Sequence, residues 1–503
     1  MIAKQKRLFL ICGIVFAVLL IAYVAFIRPT LTVEEGEDEI ELPETLEGED
    51  VSELGRFYMF PQIVRAGMQS IKVENEYGTY EFYRDKNGDF QIRGFEGTAY
   101  SLEKFSELVT AAGQTLAKVK VLDNATDAEL AEYGLLDPQA NWVVTTTTGE
   151  TFKVYVGYDL LTGGGFYCML EGRRSVYVLD EKLTKTILAP IENLCSPALI
   201  AGIQQEDYYV VDNFVMMHGE EILCSIGLTD PEDHQNPQSL QENYMIVPPG
   251  YFPNTDMYYQ LLYDLATLTG SYVAKLGPSD ADLEKFGLLE PAHTVAFEYG
   301  GMEFMLLFSE RQADGSYYAM SNLFPQVVSI TGETVDFLQY DLLDWIEAYP
   351  FQQWLTSVES TEVVGSGADV KFTLHHGKDA EGNATLAVTT STGKTIPAEE
   401  VYNYRQFFKT LLSVAIEGYA PLTEEEIDAL TTDEKCILTF TIVQTNGKTT
   451  VYRFYPYSST GRRSLMTVNG FGEFYVHTDL IEKIASDANK VLNGLIVDAY
   501  GKD

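Results

Sequence analysis

The sequence predicts an α+β protein: an N-terminal transmembrane helix followed by three tandem modules, each of antiparallel sheet plus helices, with the third copy degenerate. Three observations predict it. A thirteen-residue phrase occurs twice, as Thr126-Asp-Ala-Glu-Leu-Ala-Glu-Tyr-Gly-Leu-Leu-Asp-Pro138 and as Ser279-Asp-Ala-Asp-Leu-Glu-Lys-Phe-Gly-Leu-Leu-Glu-Pro291, with seven positions identical and four more near-synonymous. Repetition over a long interval marks a duplicated structural unit. A segment of helical period precedes each phrase, and β-type runs broken by glycine turns follow it. Ahead of everything stands an unbroken apolar run, Leu8 to Ile27.

That run is the first element, long enough to cross a hydrocarbon core of ~30 Å. Lys4, Lys6 and Arg7 precede it and acids follow Arg28, so the positive-inside bias puts the N-terminus in the cytoplasm and the remainder outside. A cleaved signal peptide calls for a shorter apolar region and a small-x-small cleavage site. A lipoprotein signal at Cys12 needs a small residue where Ile11 stands. Residues 1–30 are therefore expected to be a cytoplasmic tip and uncleaved single-pass anchor in the cytoplasmic membrane. Residues 31–55, dominated by Glu and Asp with scattered Gly and Pro, are too polar to pack and read as an extended spacer. The modules are expected at 56–195, 196–350 and 351–503.

Each module begins with strands. In the first, Tyr80–Tyr83 and Phe90–Ile92 flank Asn87-Gly88, the signal of a type I′ hairpin. A long amphipathic helix follows, expected over Ser101–Ala112 (Leu102, Phe105, Leu108, Val109 and Ala112 on one face), Thr255–Thr269 (Met257, Leu261, Leu265, Leu268) and Ala398–Ser413 (Val401, Tyr404, Phe408, Leu411, Leu412).

The repeated phrase then encodes a short helix with a defined start and stop. Thr126 and Ser279 are N-caps, with Glu129 and Asp282 at capping-box spacing and Asp127 and Asp280 at the positive end of the helix dipole. Leu130 with Tyr133, and Leu283 with Phe286, share the inward face. Gly134 and Gly287 supply a left-handed terminator, and Pro138 and Pro291 keep the helix from resuming. The worn third copy, Thr423-Glu-Glu-Glu-Ile-Asp-Ala-Leu430, keeps the cap, the acid and the apolar pair Ile427/Leu430 but lacks the glycine and proline. Antiparallel strands are expected after each copy: 142–147, 152–156 and 175–179; 294–299, 304–308 and 327–330; 437–444, 450–454 and 473–477.

The chain carries 34 basic against 74 acidic side chains, a net charge of −40. That argues against nucleic acid and anionic lipid surfaces as partners. Its 32 Tyr and 27 Phe suit half-buried strands. Cys168, Cys195, Cys224 and Cys436 have no close spacing, so any pairing stays open.

The residues that invite chemistry each have a plainer role. Asp85-Lys-Asn-Gly-Asp89 with Glu96 imitates a calcium loop, but Phe90 stands where the sharp turn wants glycine, and the hairpin explains these residues. Asp230, Asp233 and His234 lie in a polar, proline-bearing loop. Ser101-Leu-Glu-Lys104 has Ser-x-x-Lys spacing without the companion elements of an acyl enzyme, so Ser101 reads as a helix cap. Gly365-Ser-Gly367 and Gly470-Phe-Gly472 lack the third glycine of a dinucleotide site. The six histidines (His218, His234, His293, His375, His376, His477) do not recur at equivalent places, and His375-His376 reads as neighbours at a hairpin tip facing opposite ways. No catalytic, cofactor or metal residue is singled out, and a non-catalytic protein without a cofactor is expected.

Taken together, the anchor, the repeated phrase and the strand–Gly turn–strand, Phe-Tyr or Tyr-Tyr, Val-Tyr-Val sequence after it resemble a bacterial membrane-anchored domain-of-unknown-function family, 4340, of extracytoplasmic repeat proteins often encoded beside gliding-motility-type ABC transporters. The resemblance is strongest over 116–188, good over 272–345 and weak over the third module. It brings no catalytic residues. It implies a partner, an ABC transporter permease or its extracytoplasmic domain, and an accessory or binding role. A cell-wall or glycan-binding surface protein and an extracytoplasmic hydrolase are the alternatives.

Overall fold

The computed structural model describes residues 45–51, 57–204, 210–228, 243–396, 401–420 and 422–500. The apolar run 8–27, most of the acidic spacer, and the loop with Asp230, Asp233 and His234 lie outside them. Among the described residues no helix is long and apolar enough to cross a membrane.

Among the described residues, three antiparallel sheets, of ten, eight and nine strands, make an α+β architecture dominated by strands. Each draws on one stretch of chain: Asp50 to Asp180, Asp212 to Thr331, and Val358 to His477. One plan repeats in all three. A hairpin strand (Met68–Asn75, Asp212–His218 or Val358–Gly365) pairs with the first strand of a four-strand meander. The last meander strand (Val176–Asp180, Gln326–Thr331 or Phe471–His477) pairs with a short strand that leaves the long helix, Leu116–Leu122, Tyr272–Leu276 or Ile416–Tyr419. The third copy, degenerate in sequence, is complete in topology.

The strands alternate as half-buried strands must. Leu438–Gln444 buries every second side chain, and Phe297 and Phe304, paired across the second sheet, stack at 5.0 Å. The long helices cover these faces. They run Leu102–Gly113, Thr255–Leu265 and Val401–Leu412, and bury Phe105, Leu108, Val109 and Ala112; Tyr258, Leu261, Leu262 and Leu265; and Tyr404, Phe407, Phe408 and Leu411. Two details depart from expectation. Leu102, at the first turn, is 68% exposed, and the second helix stops at Leu265 instead of reaching Thr269.

The short helices are Asp127–Glu132, Asp280–Phe286 and Glu424–Leu430, and a reciprocal capping box closes each at Thr126/Glu129, Ser279/Asp282 and Thr423/Glu426. In the first two copies the amides of Leu135 and Leu288 reach back to Leu130 and Leu283, both at 2.8 Å, and Gly134 and Gly287 both take φ +68°. That is a Schellman ending, which needs a residue at ease in left-handed geometry. The aromatic of the phrase has a fixed partner too: Tyr133 packs on Tyr167 at 4.6 Å and Phe286 on Tyr318 at 4.7 Å, each partner in the third meander strand. The third copy ends on Thr431 with φ −95° and continues as a 3-10 turn, Asp433–Lys435, where the others have their Gly-Leu-Leu run.

The hairpin at Asn87-Gly88 forms differently from a type I′ turn. Gly88 takes φ +91° and Asn87 keeps negative φ, while Asp85 N–H donates to Asp89 O at 2.8 Å, leaving a three-residue loop. The Asp85 carboxylate accepts from the amides of Asn87 and Asp89, which accounts for its place.

The described residues gather into two compact units. One holds the residues up to Phe90 with Phe105–Ala189; the other holds Gln91–Lys104 with everything from Pro190. The second unit therefore contains both later sheets, and an apolar contact links the two modules: Tyr251 meets Phe474 at 4.7 Å. The Ile416 amide donates to Ala348 O at 2.7 Å across the same seam. Cys168, Cys195, Cys224 and Cys436 are free thiols. Burial raises the first three, Cys195 to about 12, so none is a ready nucleophile.

Candidate functional site

The segment after the last meander strand differs among the modules, and the difference makes a cavity. In the first module, Asp180 caps a helix, Glu181–Leu188, whose Thr184 and Ile187 are buried. Asn75 holds its end through Ile187 O and Ala189 O, both at 2.9 Å, and Lys182 meets Glu107 of the long helix at 3.7 Å. Between that helix and the end of the long one, space of only about 10 Å³ remains. In the third module a fifteen-residue helix, Thr478–Leu492, covers the same ground and buries Ile481, Ile484, Ala485, Asp487, Ala488 and Val491.

The second module has no such helix. Its strand ends at Thr331, and Gly332 starts a turn closed by Thr334 N–H on Thr331 O at 3.1 Å and by the two threonine hydroxyls at 2.8 Å. A side chain at residue 332 would strike Gly315 O at 2.5 Å, so glycine is needed in this turn. Only a 3-10 turn, Asp336–Gln339, and a four-residue helix, Leu342–Trp345, follow. Phe337, Leu338 and Trp345 bury themselves, but the long helix is left uncovered along one side.

The result is a groove of about 530 Å³ in which the long helix and its exit face the 3-10 turn. Its floor is apolar, with Leu261, Leu268 and Phe337 buried. Its rim carries three carboxylates, Asp264, Glu333 and Asp336, and among the described residues no cationic side chain lines it. Gln260 Nε2 donates to both oxygens of Asp264 at 3.1 Å, and the Tyr340 hydroxyl donates to Asp336 at 3.3 Å. Burial and then the Asp336 charge raise the Tyr340 pKa, so the phenol stays a donor. Size, apolar floor and convergent polar groups suit the groove to binding. It offers no nucleophile paired with a base.

Among the described residues, those weighed from sequence do not meet at this groove. Ser101 accepts from the Lys104 amide at 3.3 Å, as a helix cap does. His375 and His376 lie within a long strand, Ala368–Lys378, whose hairpin turns later at Asp379–Asn383, and they bond to Thr389 and to Val358 O on separate partners. His477 pairs with Glu417. Sequence reading missed one convergence: His218 and His293 are cross-strand partners with rings 4.7 Å apart. Among the described residues no group of three or more His, Cys, Asp or Glu could hold a metal ion. The coplanar ring pair on the third sheet, Tyr457 and Tyr475, is half-buried and carries the Arg463 guanidinium over one ring at 4.6 Å.

The groove is not legible from the chain alone, because its signal is a missing element. The clue is Gly332-Glu-Thr-Val, which stands where the other copies read Glu181-Lys-Leu-Thr and Thr478-Asp-Leu-Ile. No curated protein and no solved structure matches the chain. A family model does: residues 259–435, from the groove-forming helix of the second module to just past the capped helix of the third, match the domain of unknown function DUF4340.

Proposed function

We propose that this chain is a non-catalytic, membrane-anchored extracytoplasmic binding protein that serves as an accessory to an ABC-type transporter, and that it holds its partner in the second-module groove. The groove carries this reading: an apolar floor with a single sign of charge on its rim, opened in one copy of a module that a helix closes in the others. The apolar run 8–27 with basic residues before it supports the anchor, and the acidic stretch after it supports a stand-off from the membrane. Tandem modules suit extended contact with a partner.

The test is recovery of partners. Tagged full-length chain is purified from native membranes after mild crosslinking, and the companions are identified by mass spectrometry. An ABC permease and its ATPase are expected, and expected to vanish when residues 1–30 are replaced by a secretion signal. Recovery of wall fragments alone would move the reading to a glycan-binding surface protein.

A further inference from the structure

Resting on that binding reading, we infer that the groove takes an α-helix of a partner protein, one with an apolar face and a lysine or arginine aimed at Asp264. The shape comes from the sister modules. The frame around the groove is the same sheet and long helix that carry Glu181–Leu188 in the first module and Thr478–Leu492 in the third. An empty place of that kind is filled by an amphipathic helix of two to four turns.

The charge comes from one position. When the buried faces of the long helices are aligned, Phe105, Tyr258 and Tyr404 correspond, as do Ala112, Leu265 and Leu411, so Ala111, Asp264 and Thr410 are equivalent. Ala111 and Thr410 are covered by their module's helix, and Asp264 is exposed. In the third module the Thr410 hydroxyl donates at 2.8 Å to Asp487 of the covering helix, a fully buried carboxylate also held by Lys483 at 3.2 Å and Lys490 at 3.4 Å. The second module reverses the polarity of that contact by putting the carboxylate on the long helix. A helix with an acid opposite Asp264 would set two negative charges together; a helix with a cation there satisfies it. Glu333 and Asp336 extend the same preference along the rim, with no cation in the lining to oppose it. Like-charge juxtaposition rejects the wrong helix and opposite charge selects the right one.

Two labelled fifteen-residue peptides test this by fluorescence anisotropy against the purified full-length chain: a copy of residues 478–492, and the same peptide carrying Asp487→Lys. The lysine peptide is expected to bind at least about tenfold more tightly than the parent. Asp264→Lys in the chain is expected to reverse the preference, and Thr334→Trp, at an exposed lining position, to abolish binding of both. Thermal melts by circular dichroism confirm that each variant is folded. Equal binding of the two peptides, binding of neither, or a preference that survives Asp264→Lys overturns the inference. Self-association lost in Thr334→Trp would overturn it in favour of a second copy as occupant. The binding reading fails separately: it falls if the unmodified chain recovers no transporter components, and it stands without the helix if Thr334→Trp loses them while the peptides show no discrimination.

Discussion

The second and third modules share strand order, long helix and capped helix, yet the third finishes with a fifteen-residue helix and the second with a 3-10 turn. In the third, the long helix is sealed on both sides and Thr410 is wholly buried; in the second, its counterpart Asp264 lies in the open rim of a groove. The lesson is that one repeat presents an open groove where its sister carries a closing helix. Because the frame is stabilised by the sheet and the inner face of the long helix, the closing helix can be dispensed with once its neighbours are made polar. Leu261, Leu268 and Phe337 are apolar and buried, and the positions on the rim around them are Asp264, Glu333 and Asp336.

The sharpest way to break this comparison is to damage both sides alike. Ile484 is fully buried on the inner face of the closing helix of the third module, so Ile484→Asp is expected to cost about 4 kcal/mol or more through lost packing and a buried charge. Chemical denaturation of the full-length chain, followed by tryptophan fluorescence, reads it. Asp487→Ala is expected to cost about 3 kcal/mol, since it leaves Thr410, Lys483 and Lys490 facing a buried gap. Asp264→Ala, at the second module's counterpart of Thr410, should shift stability by no more than about 0.5 kcal/mol. A large loss at Asp264 would mean that the groove is part of the core and not a free surface.

How far the sequence discloses this depends on what each element is made of. The capping boxes, the left-handed glycines and the buried faces of the long helices are local patterns, and the structure has them at the expected residues apart from the exposed Leu102. The third meander strands, Gly165–Leu170, Ser316–Ser321 and Arg463–Val468, escape a reading by composition because only two residues in each are aromatic or β-branched, the rest being of types such as Gly, Cys, Met, Ser and Ala. Their pairing on both sides makes them strands. The groove escapes for a related reason: it depends on which tertiary partner is missing, and no period in the chain records an absence.

The two intact copies of the repeated phrase allow a finer comparison. Gly134 and Gly287 take the same φ of +68°, but a Cβ at Gly134 would lie 2.8 Å from the Tyr158 ring, while one at Gly287 would meet only Ser309 Cβ at 3.5 Å. Gly287→Ala therefore isolates the cost of left-handed geometry, about 1 kcal/mol, and Gly134→Ala adds the clash, for about 2 kcal/mol or more. Equal losses, measured by native-state hydrogen exchange in each unit, would show that Tyr158 moves aside freely. Thr423→Ala should cost about 1 kcal/mol, because it removes the N-cap hydroxyl of a helix that lacks the glycine ending of the other two copies.

The smallest effect separates the second sheet from the other two by pH. His218 Nε2 and His293 Nδ1 are buried without a hydrogen-bond partner among the described residues, with Tyr317 6.2 Å from His293 and Glu310 as the nearby acid. Burial lowers both imidazoles from their ordinary 6.5, and His218 lowers His293 further. Below 6.5 the unfolded chain then binds more protons than the folded one, so this stability is complete above that pH and is lost as pH falls through the folded values. The capping carboxylates Glu129, Asp282 and Glu426, whose pKa values are lowered mainly by hydrogen bonds from Thr126, Ser279 and Thr423, act in the same direction but in a more acidic window, below their ordinary 4.5 or 3.8. Between pH 7 and 5, therefore, the unit that holds the second sheet should lose thermal stability through a pair that the first lacks, and His218→Gln should flatten that loss while leaving the drop below pH 4.5 in place. Calorimetric melts of the full-length chain across this range decide it: an unchanged slope in His218→Gln would mean that the two rings take up protons without strain, and that the second sheet opens as readily as its sisters.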